Sequence, residues 1–222
     1  MISGAAVALG SVLFLGAAVW GAVVYRPYTV PTPSMAPTVE AGDRLLAQRI
    51  DGDRVRRGDV VVFSHPDWSD LPLVKRVVAV GGDTVACCAD GRLTVNGTAL
   101  DEPYLPAGRP AAVTSLPSTV VPAGRLFLLG DARGGSLDSA ARLRDGDGGT
   151  VPGDAVVARV DAVVWPPATL ARPAAFAALP GGVSAPGPLR PLTASALVGA
   201  VLVFGGAAHG PLARRIAARR TG

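Results

Sequence analysis

Residues Ile2 to Val24 form an unbroken apolar run without a charged side chain, long enough to cross a bilayer as one helix. No basic stretch of the kind that opens a secretory leader precedes it, and Tyr25-Arg26-Pro27 closes it as a membrane interface would. Residues 1–25 therefore read as a retained anchor, with cleavage after a small residue near Ala18 or Ala22 as the alternative. A second apolar stretch at 192–209 is close to the lower length limit for a span. Arg214, Arg215, Arg219 and Arg220 follow it, and the positive-inside rule assigns such a cluster to the cytoplasm. Two spans then return both termini to one side, making 210–222 a basic cytoplasmic tail and placing residues 26 to about 190 outside. The competing reading makes the second segment peripheral. Residues 169–191, rich in Pro, Ala and Gly, have little to bury and read as a linker.

Between the spans the pattern changes to short β-branched runs. Val60 to Phe63, Val74 to Val80, Arg92 to Val95, Leu126 to Leu129 and Val156 to Val164 are expected strands. Gly-Asp pairs at 42–43, 58–59, 82–83, 130–131 and 153–154 stand where turns should be. No stretch here keeps a helical period. The fold expected for 26–168 is mainly β, a barrel-like all-β domain between an N-terminal and a C-terminal transmembrane helix.

Composition supports the lipid assignment: mean hydropathy is +0.38 while charged residues make up only 17%. The pI near 9.7 invites a nucleic-acid reading, but the basic residues form no stripe interleaved with aromatics. Nucleic acid is therefore excluded as a partner. The 2 cysteines, Cys87 and Cys88, are neighbours and have no zinc-type spacing. They read as two half-buried thiols, with a vicinal disulfide as the alternative. No metal or cofactor is called for.

Three segments carry candidate chemistry. Ser34 lies in Pro31-Thr32-Pro33-Ser34-Met35-Ala36-Pro37-Thr38, where nearby prolines predict a stiff, extended backbone that presents the hydroxyl. Lys75 lies in the apolar run Leu73 to Val78, where desolvation would favour a neutral amine able to act as a general base. Gly130 to Ser139 sets glycines beside small polar groups that could support them. Each has a plain alternative: a turn serine, a lysine reaching solvent at a strand edge, and an exposed loop.

Taken together, the three segments resemble the bacterial type I signal peptidases, in their shorter Gram-positive form. The matching stretches are Ser34 to Thr38, Lys75 to Val78 with Gly82-Asp83, Val95-Asn96-Gly97 with Asp101 to Leu105, and the box at 130–139. The resemblance implies a Ser-Lys protease that removes signal peptides, with Ser34 as nucleophile and Lys75 as general base. It implies that Ser136 hydrogen-bonds and orients the lysine, and that Thr32 assists the Ser34 N–H in an oxyanion hole. Asp138 becomes a structural carboxylate with Arg76 as its partner. Val30, Met35, Val39, Leu73 and Val74 match shallow pockets for the small residues at −1 and −3 of a signal peptide; their alternative is core packing. The implied partners are signal peptides of exported preproteins, the lipid bilayer and the secretion translocon, at the outer face of the cytoplasmic membrane.

The box departs from the family pattern at Ala140, where an arginine is usual, at Ala132 in place of asparagine, and in the charged segment Arg142 to Gly149. Arg133 or Arg142 is the expected substitute for the missing cation, with a looser site than in typical members as the alternative. His65 reads as a loop histidine, His209 as a membrane-interface residue, and Asp101-Glu102 as a turn before Pro103. The rival functions are a non-catalytic relative, a different Ser-Lys processing protease, and a structural two-span membrane protein.

Overall fold

The computed structural model describes residues 2–106, 116–167, 170 and 173–220; of the side chains of 209–220, including His209 and the tail arginines, nothing is described. Helix α1 (Ile2–Val24) is followed by β1 (Tyr25–Thr29), β2 (Arg44–Gln48), β3 (Val60–Phe63), β4 (Leu73–Val80), β5 (Thr84–Ala89) and β6 (Arg92–Val95). Then come β7 (Thr98–Ala99), β8 (Thr119–Val120), β9 (Arg125–Leu129), β10 (Val151–Pro152), β11 (Val156–Trp165), the one-turn helix α2 (Ala174–Ala177) and α3 (Leu189–Arg220). The chain divides into two compact units, Arg26–Ala185 and the pair of terminal segments.

The first unit is mainly β. Seven strands form one sheet in the order β1-β2-β11-β3-β4-β9-β10, and four form a second in the order β7-β6-β5-β8. β3 and β4 pair antiparallel with Val61 opposite Lys75, and β4 pairs with β9 with Arg76 opposite Leu129. Bulges in β11 against β2 and in β4 against β9 let the large sheet curl into its half-barrel. β4 is buried continuously from Val74 to Ala79, which is why its sequence reads as an apolar run rather than an alternation. Between β4 and β5, Gly82 takes φ 91°, a left-handed conformation that a side chain would resist.

Three expectations change. The segment read as a linker is not free of the domain: Phe176 and Leu179 are buried in the core formed with Val78, Leu93 and Leu129. One buried phenylalanine contributes about 1.5–3 kcal/mol, enough to dock a short segment whose composition otherwise looks idle. Arg57 Nη1 also donates to Pro180 O at 2.5 Å, and Ser184 Oγ to Asp59 Oδ2 at 2.6 Å. Cys87 and Cys88 are joined as a vicinal disulfide on β5 rather than standing as two thiols. Six strands, β1, β2, β5, β7, β8 and β10, lie outside the five expected runs.

In the second unit, α1 and α3 each contain a stretch long and apolar enough to cross a membrane, Gly4–Val24 and Leu189–Ala208. The second stretch starts at Leu189, earlier than expected, and its 20 residues relieve the marginal length. The helices cross where Gly10 meets Gly199: a Cβ on Gly10 would lie 2.7 Å from Gly199 O and 2.8 Å from Leu202 Cβ. Outward side chains such as Leu15, Trp20, Leu197 and Phe204 are exposed, as lipid-facing residues would be.

Candidate active site

Ser34 is placed by a single 3-10 turn, Pro33–Met35, entered from an extended Thr32. This corrects the expected extended backbone at the serine. Proline fits the first position of a helical turn because its φ is already right and its missing N–H costs nothing there. Met35, fully buried beside Val30 and Val39, anchors the turn to the core, and Ala36 N closes it on Pro33 O at 3.0 Å. Ser34 itself is 8% exposed.

Lys75 projects from β4 and is 2% exposed. Its Nζ donates to Ser34 Oγ at 2.6 Å and weakly to Val74 O at 3.3 Å. Burial pushes the amine below the ordinary lysine range, opposed in part by the negative charges of Asp138 and Asp131. Thr32 Oγ1 lies 3.2 Å from Ser34 Oγ, so two polar groups, the Lys75 amine and the Thr32 hydroxyl, converge on the serine hydroxyl. Buried lysines whose charge is disfavoured and whose nitrogen faces a hydroxyl are the arrangement nucleophilic catalysis uses.

The box at 130–139 packs directly behind. Ala132 N donates to Ser34 O at 3.1 Å, fixing the serine turn from its carbonyl side. Gly130 is obligatory by packing, since a Cβ there would overlap Ser34 O and Ser136 Oγ. Asp138 accepts Gly130 N at 2.9 Å and Ala140 N at 3.2 Å. Burial raises its carboxyl, while Gly130 N, the Ser136 hydroxyl and Lys75 pull it down.

Two implied contacts differ. Ser136 Oγ is buried but makes no hydrogen bond of normal geometry, and none to Lys75. Arg76 pairs with Asp131 and not with Asp138: Nε donates to Oδ1 at 2.9 Å and Nη2 to Oδ2 at 2.6 Å. The ladder decides this, because Arg76 lies opposite Leu129, two residues before Asp131. Neither expected substitute reaches Asp138 as an ion-pair partner. Arg133 pairs with Glu102, and Arg142 pairs with Asp145 while lying 5.1 Å over the Trp68 ring.

Of the expected pocket residues, Val30, Met35, Val39 and Val74 are buried in one core cluster with Leu45, Val62 and Val160. Leu73 is half-buried against a second cluster containing Phe63 and Val61. An open cavity of about 830 Å³ lies elsewhere, lined by Asp51, Arg57, Arg125 and Gly153 among others, and contains none of the expected site residues. His65 faces Asp67 and Asp147 at 3.9 and 4.0 Å. Among the described residues no three His, Cys, Asp or Glu side chains are placed to hold a metal ion. The sequence reading missed the acid partners of the site, Asp131 and Glu102, because both stand in stretches that look like ordinary turns.

Comparison with known proteins bears on this geometry. The family described as signal peptidase, peptidase S26, matches residues 3–165. The chain belongs to this family. The signal peptidase I of Mycobacterium tuberculosis is 34% identical over 194 residues, covering 65% of this chain and 66% of its own length. The signal peptidase I of Bacillus caldolyticus is 36% identical over 156 residues, covering 64% and 81%. Signal peptidase IB of Staphylococcus aureus is 36% identical over 164 residues, covering 66% and 81%. A crystal structure of a signal peptidase I from Enterococcus faecalis aligns with 47% of this chain and 94% of its own at 27% identity, with a TM-score of 0.38. The S26 match includes α1, the serine turn, β4 and the box at 130–139, and so takes in every residue of the site just described.

Proposed function

We propose that this S26 family member is a membrane-bound serine endopeptidase that removes signal peptides from exported preproteins, with Ser34 and Lys75 as a catalytic dyad. The observation that carries the reading is the 2.6 Å approach of Lys75 Nζ to Ser34 Oγ inside a site where burial disfavours the ammonium. In the reactive state the amine is neutral and the bond runs the other way, the serine O–H donating to the nitrogen lone pair. Ser34 Oγ attacks the scissile carbonyl carbon as its proton passes to Lys75 Nζ. Collapse of the tetrahedral intermediate breaks the C–N bond, and the leaving amine takes the proton from Lys75. Water then attacks the acyl-enzyme with Lys75 again as base, and the released serine recovers its proton. A general base of this kind contributes about 10²–10⁴-fold.

The Ser34 backbone N–H and the Thr32 hydroxyl are the proposed oxyanion donors. Val30, Met35, Val39, Leu73 and Val74 are the proposed apolar contacts for small −1 and −3 side chains; four of them lie buried in the core beneath the serine turn, and half-buried Leu73 is the one that presents apolar surface. The two apolar helices and the arginines at 214–220 support an anchor in the cytoplasmic membrane with the β domain on the extracytoplasmic face. The lipid bilayer and the secretion translocon are the proposed surroundings.

The test is cleavage, in detergent, of a preprotein whose signal peptide ends in Ala-x-Ala. Wild type releases the mature protein, and Ser34→Ala and Lys75→Ala do not. An inert wild type, or a variant as fast as wild type, overturns the dyad. The missing Ser136–Lys75 hydrogen bond and the alanine at 140 favour the second reading, a catalytically impaired relative, and an inert wild type would select it.

A further inference from the structure

The loop that carries Ser136 and Asp138 lacks the guanidinium its family pattern would place after Ser139, and Arg76, the partner expected for Asp138, is spent elsewhere. Arg76 is committed to Asp131 through Nε and Nη2 and to Gly58 O through Nη1 at 3.0 Å. What ties the loop down from outside is the pair formed by Arg133 and Glu102. Arg133 Nη1 donates to Glu102 Oε2 at 3.1 Å, and Nη2 donates to Oε1. The two side chains are only 4% and 5% exposed, so this is a buried, forked ion pair rather than a surface contact. Tyr104 O–H donates to the same carboxylate, and the Tyr104 ring lies 4.0 Å beneath the Arg76 guanidinium. Arg133 Nε also turns back to Gly130 O at 3.1 Å.

These contacts lead straight to the serine. Arg133 follows Ala132, whose N–H holds Ser34 O, and it grips Gly130, whose N–H holds Asp138. We infer that Glu102 and Arg133 are positioning residues of the proposed peptidase: together they lock the 130–133 turn so that Ala132 N–H and Gly130 N–H hold the Ser34 turn and Asp138 in register with Lys75. The clamp does for the loop what an ion pair at Asp138 does not do in this chain. It rests on the peptidase reading for its catalytic consequence and on geometry alone for its structural one. Displacement of a nucleophile by a fraction of an ångström lowers turnover without touching the surfaces that bind substrate, so its signature is a fall in kcat at constant KM.

The experiment uses the full chain in detergent, the isosteric variant Glu102→Gln and the shorter, neutral Arg133→Gln, with Arg133→Lys as the conservative rescue. Two readouts are taken. Amide hydrogen exchange is expected to quicken at least tenfold at Ala132 and Gly130 in both glutamine variants, while the β3–β4 amides keep wild-type protection. Cleavage of an Ala-x-Ala preprotein is expected to lose about tenfold or more in kcat with KM within twofold. Arg133→Lys should recover part of that loss, and the double variant should be no slower than the worse single one, because the pair acts as a unit. Unchanged exchange at Ala132 and Gly130 overturns the clamp. Quickened exchange with unchanged kcat leaves a structural tie and overturns the positioning role. If wild type itself fails to cleave, the peptidase reading falls, and the exchange data still decide whether the clamp exists.

Discussion

Lys75 Nζ and Ser34 Oγ stand 2.6 Å apart although 41 positions separate the residues in sequence. The lysine is held there at a cost, since a long cationic side chain is almost fully removed from water and the charges of Asp138 and Asp131 offset that burial only in part. Replacing it with an apolar residue of similar length should therefore stabilise the fold while ending catalysis. Lys75→Met is expected to raise Tm by about 2–4 °C at pH 7, for roughly 1 kcal/mol in a chain of this size. Because the folded-state pKa of Lys75 is depressed, the unfolded chain binds the extra proton between the two pKa values. Wild-type stability should then rise with pH across that window, and the advantage of the variant should shrink toward pH about 10.4, the ordinary lysine value. Thermal melts of both proteins across that range check it.

The same lysine fixes the sign of a kinetic prediction. The neutral amine is the active form, so kcat/KM should climb with pH through a limb lying below the ordinary lysine range. Asp138 raises the Lys75 pKa by its charge. Asp138→Asn removes that charge while an amide oxygen can still accept Gly130 N–H, so the limb should move to lower pH even if the maximum rate falls. A pH–rate profile of the two proteins decides; a limb that moves upward contradicts the assignment of Lys75 as base.

Gly130 tests how tightly the site is packed. A Cβ at this position would lie 2.5 Å from Ser136 Cβ and closer still to Ser34 O and Ser136 Oγ. The obstruction includes backbone, so it cannot be relieved by rotating one side chain. Gly130→Ala should cost about 1–3 kcal/mol of stability and, by displacing the serine turn, at least about hundredfold in kcat/KM. Steady-state cleavage and denaturant melts measure the two effects separately.

Much of this could be read along the chain, and the reasons for the rest are physical. Strands at 60–63 and 92–95 fell where β-branched runs end in turn residues, and β4 was found because both its faces are buried. β2 was hidden because Arg44-Leu45-Leu46-Ala47-Gln48 is made of good helix formers, and only its pairing with β11 makes it a strand. Ser34 and Lys75 each had an ordinary explanation, and the order of the three segments was needed to join them. Arg76 had two acidic candidates in one box, Asp131 and Asp138; sheet register chooses between them, and register is a long-range property that local pattern does not contain. Phe176 was lost in a composition that suggested a linker.

Asp83 offers an acid-stability prediction away from the serine. Its Oδ2 accepts Arg57 Nε at 2.7 Å and Val80 N at 2.8 Å, and its Oδ1 accepts Asn96 Nδ2 at 2.8 Å and Arg57 Nη2. Burial alone would raise this carboxyl, but the Arg57 fork and the two further donors hold it below the usual carboxylate range. Its stabilisation is therefore complete above the unfolded pKa of about 3.9 and is lost as pH falls through the lower folded value. Asp83→Asn should cost about 3 kcal/mol at pH 7, the loss expected when one partner of a buried pair is removed. The deficit should close below pH about 4, which denaturant melts at several pH values will show.

The two apolar helices make a prediction of their own, independent of catalysis. Between helices in lipid there is little hydrophobic drive, so close contact through small residues carries much of the association. Gly10 and Gly199 are the point of contact: a Cβ on Gly199 would lie 2.6 Å from Phe14 N and 2.7 Å from Gly10 O, both backbone atoms. Gly16 and Gly21, on the same helix, face open space. Gly10→Leu or Gly199→Leu should force α1 and α3 apart and cost about 1–3 kcal/mol of helix association, whereas Gly16→Leu should be silent. Cysteines introduced at neighbouring positions of the two helices, in a background where Cys87 and Cys88 are replaced by serine, report the distance by cross-linking in bilayers. Efficient cross-linking in the wild-type and Gly16→Leu chains, and its loss in the other two, is the expected result. Equal cross-linking in all four would mean that the glycine contact does not hold the helices together.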